Sequence, residues 1–151
     1  RILSLPDGIR EVVVHKAVVN AVLNPMAALR GWTNGEFAQE MLQIPSVCHL
    51  AEETHPIFHL THTTPPNILP HLAHLPETQA PILSAVYTVA QASAENVCST
   101  LAAVRKGKKT EVESINGVLA TCLQQAGYAT LHHNSILQAF ESIHKLNNTH
   151  T

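Results

Sequence analysis

Three polar residues, Lys16, Asn20 and Asn24, recur at four-residue intervals in a stretch that is otherwise mostly valine, alanine and leucine. On an α-helix, this spacing places the three side chains on one face. A helix with apolar residues on nearly every other side is typically buried, and buried ammonium and amide groups are costly without partners. The stripe is therefore either a solvated face of a packed helix or a binding site for a small polar ligand. In the second case Lys16 could transfer a proton.

A second polar set consists of Asn96, Ser99 and Glu111. The first two are three residues apart in a stretch that is predicted to form one long helix, Pro81–Arg105, so they would share a face. Glu111 is predicted to open the next helix, where a carboxylate interacts favourably with the helix dipole. The spacing does not distinguish a functional site from exposed or helix-stabilising residues.

The elements that must position these residues are predicted to be helices, because aromatic residues are 4% of the chain and β-branched runs are short. A break is predicted at Asn24–Pro25, since the residue before proline avoids the α conformation. Gly127 is predicted as a C-terminal stop. The predicted helices are Ile9–Leu23 with Asp7 as N-cap, Met26–Arg30, Glu36–Gln43, Pro81–Arg105, Glu111–Gln125, and Asn134–Lys145 with Asn134 as cap.

Residues 45–81 have a different character, because seven of the nine prolines lie there together with six histidines. Proline inside a helix removes a hydrogen bond and clashes with the preceding turn. We therefore predict an irregular segment, with short helical pieces around Ile68–Leu75.

The histidines in this segment raise the question of a metal site. His55, His59 and His62 have a spacing that could hold zinc on a helix, as do His71 and His74. The prolines argue against a regular helix, and no carboxylate completes a familiar motif. We therefore expect solvated loop histidines and no metal site.

The composition is typical of one globular domain. The chain has 151 residues, of which 45% are hydrophobic and 13% charged, so it can bury a core. A net charge of −2 makes nucleic acid an unlikely main ligand. The three cysteines lack a pairing pattern, which indicates a reducing compartment. No membrane span is expected, because the most apolar run, Val12–Leu23, is interrupted by His15, Lys16 and Asn20.

Two segments resemble the signature of the ketopantoate reductase family. Residues 16–25 (KAVVNAVLNP), followed by residues 34–36 (NGE), are similar to the family pattern KxxxNxxxNP…NGE. Residues 94–99 (AENVCS) and 108–117 (KKTEVESING) resemble TAENxSS…RxTEIDxING. The resemblance covers about Val12–Phe140, apart from the middle segment rich in proline and histidine.

The resemblance implies an all-α fold, a helical C-terminal domain like that of the 6-phosphogluconate dehydrogenases. It would form one domain over residues 1–151, with an irregular Pro/His-rich middle. Such a domain packs against an N-terminal Rossmann domain that binds NADPH. This chain has no GxGxxG motif or βαβ pattern. We therefore expect the Rossmann domain to be absent from it and supplied in cis or in trans, and the isolated chain to be inactive.

The family's chemistry implies a role for Lys16 as the general acid. It would protonate the ketone oxygen of a small 2-oxo acid as NADPH reduces it, converting 2-dehydropantoate (ketopantoate) to pantoate in pantothenate and coenzyme A biosynthesis. Glu111 would order the site and contact substrate or cofactor. The substrate-binding residues that the matching positions imply are Asn20, Asn24, Asn34, Asn96 and Ser99.

The sequence departs from the family pattern at several positions. Cys98 replaces the first serine of the SS pair, Glu113 is the acid of the EID triplet, and the expected proline before Asn134 is missing, with His132 and His133 in that region. These departures leave an alternative open, in which the chain is a non-catalytic structural or interaction subunit of a larger assembly. A homodimer also stays open, and the location is expected to be cytoplasmic, with the mitochondrial matrix as alternative.

Overall fold

The computed structural model of the chain describes residues 6–62 and 66–149. The all-α prediction is confirmed, and no strand occurs in these two ranges. The helices are α1 (Asp7–Arg30), α2 (Asn34–Glu40), α3 (Pro45–Thr61), α4 (Ala80–Ala92), α5 (Ser99–Arg105), α6 (Val118–Gln125) and α7 (Leu131–Thr149), with 3-10 turns at Met41–Gln43 and Pro70–Leu72 and a π turn at Glu113–Gly117.

The central element is α1, which packs against α3, α4 and α5. Its buried residues include Val18, Val19, Val22 and Leu23, which lie at the middle of the hydrophobic core. At 24 residues it is, by length and composition, long and apolar enough to cross a membrane, so the interruptions in Val12–Leu23 do not exclude a span, contrary to what the sequence led us to expect. More than half of its most apolar window is buried inside the fold, as in the core helix of a globular domain.

The predicted break at Asn24–Pro25 is also wrong, because α1 continues through Pro25 to Arg30. Proline has no backbone N–H to donate to the carbonyl four residues earlier, which is that of Ala21. The side chain of Asn116 replaces the missing donor, since its Nδ2 donates to Ala21 O at 2.9 Å. A partner from the other end of the sequence therefore stabilises the proline-containing helix.

The same amide group holds a buried histidine. Nδ2 of Asn116 lies 3.3 Å from Nδ1 of His133, which is fully buried. Because an amide nitrogen only donates, His133 must accept at Nδ1 and carry its proton at Nε2. Burial lowers the pKa of His133 to about 4, so the ring is neutral at physiological pH.

The N-terminus of α7 is capped by a residue of α3. The prediction that Asn134 would be the cap is therefore wrong. The Glu53 carboxylate accepts from the backbone N–H of His132 at 2.8 Å and from that of His133 at 3.0 Å. Asn134 lies inside the first turn and donates to the Thr130 hydroxyl. An acidic side chain satisfies free N–H groups and interacts favourably with the dipole at this end of a helix.

The segment 45–81 is more regular than predicted, since residues 45–61 form α3. Pro45 occupies the first position, which needs no N–H donor, and Pro56 is accommodated within the helix. The buried residues Val47, Leu50, Ala51, Thr54, Phe58 and Thr61 recur with helical spacing. This apolar face outweighs the cost of the internal proline. Residues 66–79 are irregular around the Pro70–Leu72 turn, as expected, and residues 63–65 lie outside the described ranges.

The prediction of Asp7 as N-cap is wrong, since the N-cap of α1 is Pro6 and Asp7 lies in its first turn. The predicted helix Glu36–Gln43 corresponds to the rest of α2, which Thr33 and Glu36 begin with a capping box, and to the 3-10 turn after it. Gly127 follows α6 with φ 84°, a left-handed conformation that suits glycine, as its predicted role as a stop requires. The predicted helix Glu111–Gln125 begins instead with the π turn, and Glu111 precedes it.

The role of Asn116 can be tested by a double-mutant cycle with Pro25. Asn116→Ala should lower the free energy of unfolding by about 1–3 kcal/mol, because it leaves the buried Ala21 carbonyl without a donor. In a Pro25→Ala background the new N–H can bond to that carbonyl, so Asn116→Ala should cost less. Urea denaturation of the four proteins measures the coupling, with Asn147→Ala as control. Equal costs in both backgrounds would contradict this role.

The buried His133 should make stability depend on pH. Its pKa is about 4 in the folded chain against 6.5 in the unfolded one, so the unfolded state binds more protons between these values. The stabilisation is therefore complete above pH 6.5 and falls by up to about 3 kcal/mol as the pH drops to 4. Urea denaturation at several pH values should show a shallower dependence in His133→Gln. An unchanged slope in this variant would exclude His133 as the cause.

Candidate functional site

The polar stripe on α1 goes from exposed to buried along the helix. Lys16 is exposed, Asn20 is partly buried and Asn24 is buried at 6% exposure. With a rise of about 1.5 Å per residue, Lys16 and Asn24 are about 12 Å apart along the axis. The stripe therefore begins at the surface and ends where α1 meets the second polar set.

The predicted long helix Pro81–Arg105 is interrupted. α4 ends at Ala92 and α5 begins at Ser99, so Asn96 lies in a loop and does not share a helix face with Ser99. Tertiary bonds account for the interruption. The carbonyls of Ala94 and Asn96 accept from the backbone N–H groups of Gly35 and Asn34, each at 2.9 Å. The loop 93–98 thus satisfies free donors in the first turn of α2.

Gly35 allows this close approach. A Cβ atom at this position would lie 2.9 Å from Ala94 Cβ and 3.0 Å from the Ala94 carbonyl oxygen. These distances are shorter than van der Waals contact, and the backbone cannot move aside as the end of a side chain can. The glycine of the NGE motif is therefore needed to join α2 to the loop.

The side chain of Asn34 adds a third contact between these segments. Its Nδ2 donates to Ser93 Oγ at 2.9 Å, and Ser93 in turn donates to the Val89 carbonyl. Asn34 is buried, and its Oδ1 has no hydrogen-bond partner among the described residues. A buried carbonyl oxygen without a donor is costly, so it is suited to accept from a group outside the described chain.

Cys98 joins the loop to α1. Its Sγ lies 3.4 Å from the Asn24 carbonyl, to which it donates, and accepts from Leu101 N at 3.4 Å as the N-cap of α5. Burial raises the pKa of this thiol, which keeps its proton available for the first bond. Ser99, the next residue, is exposed at the start of α5, close to the Asn24 end of the stripe.

These bonds bring four of the predicted site residues together: Asn24, Asn34, Asn96 and Ser99. Glu111 takes no part in them. Its side chain is exposed, and its carbonyl accepts from Ile115 N and Ser114 Oγ within the following turn. Its neighbour Val112 lies in the core.

Lys16 lies at the edge of a groove of about 630 Å³ between α1, the end of α3 and α4. The groove is lined by apolar groups such as Val12 and Phe58, by uncharged polar groups such as Thr88, and by the titratable residues Glu11, His15 and His62. Lys16 forms no salt bridge within residues 6–62 and 66–149. A larger groove of about 800 Å³ beside α6 and α7 contains none of the predicted site residues.

The histidines that could suggest zinc are placed apart from one another or in pairs. His55 and His59 stack with their ring centroids 5.5 Å apart, whereas His62 stacks on Phe58. Within the described part of the chain, no group of three or more His, Cys, Asp or Glu side chains could hold a metal ion.

Comparison with known proteins decides the family. The model of the ketopantoate reductase PanE/ApbA C terminal matches residues 8–144, which is most of the chain. The chain belongs to the ketopantoate reductase family. Its relatives include the 2-dehydropantoate 2-reductases of Shigella flexneri and Escherichia coli O157:H7, each 28% identical over 135 residues, covering 83% of this chain and 38% of the relative.

A solved structure supports the fold. The crystal structure of probable 2-dehydropantoate 2-reductase panE from Bacillus subtilis matches with a TM-score of 0.67 and 22% identity, over 85% of this chain and 39% of that one. The helical C-terminal fold expected from the resemblance is thereby confirmed. The chain spans less than two fifths of the length of these ketopantoate reductases.

Sequence reasoning missed two residues that build the site. Ser93 accepts from the Asn34 side chain, and Asn116 donates to the Ala21 carbonyl that Pro25 leaves without a donor. Asn116 could have been singled out, because it belongs to the ING element of the ketopantoate reductase signature, but that element did not indicate its role. Nothing in the sequence singles out Ser93, since it lies inside a stretch that has helical periodicity.

The contact between Gly35 and Ala94 can be tested with a single methyl group. Gly35→Ala should lower the free energy of unfolding by about 1–3 kcal/mol, the usual cost of overpacking, because both neighbours are tightly held. Gly117→Ala is the matched control, since its Cβ would meet only Leu137 Cδ2 at 3.7 Å. Thermal unfolding monitored by circular dichroism compares the two. Equal stability of both variants would contradict the close approach.

Proposed function

We propose that this chain is the substrate-binding and general-acid domain of an NADPH-dependent reductase that converts 2-dehydropantoate to pantoate, a step in pantothenate and coenzyme A biosynthesis. The observation that supports this most is the set of hydrogen bonds joining the two family motifs. Asn34 and the loop 93–98 bond to each other, and the same loop bonds to α1 at Asn24. Residues 59 to 74 positions apart in sequence thus meet at one end of the Lys16 stripe.

The polar groups at this place suit a small 2-oxo acid. The Ser99 hydroxyl and the Asn96 amide are exposed and could donate to a carboxylate, while Asn20 lies on α1 between Asn24 and Lys16. The orphan Oδ1 of Asn34 could accept from a donor group. We assign Asn20, Asn24, Asn34, Asn96 and Ser99 to substrate binding or to ordering the site, and Glu111 to contact with substrate or cofactor.

Lys16 is proposed as the general acid. An ammonium group near the ketone oxygen stabilises the negative charge that develops there and then donates its proton, so that the alcohol is released neutral. The side chain is exposed and has no carboxylate partner in the described ranges, so its proton is available to a ligand.

The described residues do not form a cradle for NADPH. They include no strand, so they contain no βαβ unit whose turn could bind the pyrophosphate. We propose that a Rossmann domain, in cis or in trans, holds NADPH, which supplies the hydride when bound. The residues of this chain then face the reacting ketone, and the isolated chain should be inactive.

The relatives also bear on assembly and location. They are bacterial enzymes, which favours the cytoplasm and gives no support to the mitochondrial alternative. Because these relatives are named as reductases, they do not favour the alternative that this chain is a non-catalytic subunit. A homodimer remains compatible with the proposal, and we expect neither nucleic acid nor membrane as partner.

The central test is the loss of the Lys16 ammonium in the complete polypeptide that contains this domain. Lys16→Ala should reduce kcat for NADPH oxidation with 2-dehydropantoate by roughly a hundredfold or more, the order expected for a general acid. The unfolding transition should be unchanged, since the side chain is exposed.

Lys145→Ala is the matched control, because this exposed lysine pairs only with Glu141 on α7. It should retain wild-type activity. Near-normal turnover by Lys16→Ala would exclude the general-acid role. The intact mass of the natural polypeptide identifies the protein to assay, since it shows whether a second domain is in cis or has to be added.

A further inference from the structure

Two imidazole rings join α1 to the end of α3 beside Lys16. Nδ1 of His15 lies 3.4 Å from Nε2 of His62, and Nδ1 of His62 lies 2.8 Å from the Phe58 carbonyl oxygen. A carbonyl only accepts, so the proton of His62 is on Nδ1 and its Nε2 has the free lone pair. His15 must therefore donate from Nδ1. The Phe58 carbonyl therefore fixes the donor and the acceptor in both hydrogen bonds that the two rings make.

Packing holds His62 in this orientation. Its ring stacks on the buried Phe58 ring, with centroids 3.7 Å apart, and the His15 ring lies 5.6 Å from that of His62. His62 is the residue that ends α3, so its backbone is also tied to Phe58 O. The acceptor that His15 needs is thus presented by a ring that has little freedom to rotate.

The surroundings of His15 favour its neutral form at physiological pH. Burial lowers the pKa of His15, the neighbouring His62 lowers it further, and Glu11 opposes the shift. The titratable groups facing the pair are Glu11 and Lys16 on α1, while α4 contributes only uncharged groups such as Thr88. One added proton leaves the N–H···N bond intact, but a second places two N–H groups face to face and breaks it.

The part of α1 that carries Lys16 needs such a constraint. Ile9, Val12 and Val13 are exposed, with 54%, 68% and 39% of their surface accessible, so this half of the helix is packed on one side only. Lys16 directly follows His15 on a rigid helix. A shift of His15 against α3 therefore moves the Lys16 ammonium with it.

We propose that His15 and His62 are positioning residues for Lys16: their N–H···N bond fixes the N-terminal half of α1 on α3 and so fixes where the ammonium group is presented. This inference rests on the proposed function of Lys16. It also gives the enzyme an acidic limit, because activity falls once both rings are protonated.

The test compares His62→Ala and His62→Gln in the complete polypeptide. His62→Ala should reduce kcat by roughly tenfold or more at neutral pH, since a small displacement of a catalytic group is costly, with KM for NADPH unchanged. In His62→Gln the side-chain oxygen can accept from His15 Nδ1, so most activity should return. The control is His59→Ala, an exposed histidine on the same helix.

The pH profile separates positioning from a merely structural role. Wild-type kcat should fall at acidic pH as the second proton enters the pair. His62→Gln should not show this fall, because a protonated His15 still donates to the amide oxygen. The proposal is overturned if the wild type is active and His62→Ala has an unchanged kcat. It is also overturned if His62→Gln shows the same fall in kcat at acidic pH.

Imidazole ¹⁵N NMR of the 151-residue chain tests the pair without any activity. The expected result is a proton on Nδ1 of both rings at neutral pH, and a proton on Nε2 of His62 would overturn the proposal. A wild-type polypeptide that does not reduce 2-dehydropantoate at all would instead overturn the proposed function, and the positioning role with it. The NMR result then still shows whether the pair exists.

Discussion

The fold depends on one hydrogen bond at the middle of its central helix. Pro25 removes the donor that the Ala21 carbonyl would normally receive, and Asn116 supplies it from the side chain. Without this bond the buried carbonyl would be unsatisfied, and a proline-containing helix would kink at this point. With it, α1 continues as one helix from Asp7 through Pro25 to Arg30, so one helix carries the whole polar stripe.

The same bond connects α1 to the C-terminal half of the chain. Asn116 also contacts His133, whose backbone N–H bonds to Glu53 on α3. A continuous network thus links the π turn, α7, α3 and α1 through buried polar groups. The bonds of this network fix the positions of Asn116, His133 and Glu53 relative to α1, while Nε2 of His133 has no hydrogen-bond partner among the described residues. The signature residue Asn116 thus helps to position the helix that carries Lys16.

Much of the fold and of the candidate site could be predicted from the sequence, but for two different reasons. Helix type and the stops at glycine follow from local patterns, and Lys16, Asn20 and Asn24 from their spacing. The family resemblance supplied the rest of the site. Two of the errors share one physical cause, since tertiary partners replaced local hydrogen bonds. Asn116 allowed a helix through Pro25, and the first turn of α2 drew residues 93–98 out of a helix.

The central claim is that Lys16 gives its proton to the ketone oxygen. The most direct measurement is a crystal structure of the complete polypeptide with NADPH and 2-dehydropantoate bound. The account predicts that Lys16 Nζ lies about 2.6–3.2 Å from the ketone oxygen, the reach of a general acid. It also predicts that the substrate carboxylate lies at Ser99. A ketone oxygen bound by another side chain, with Lys16 directed away from it, would contradict the account.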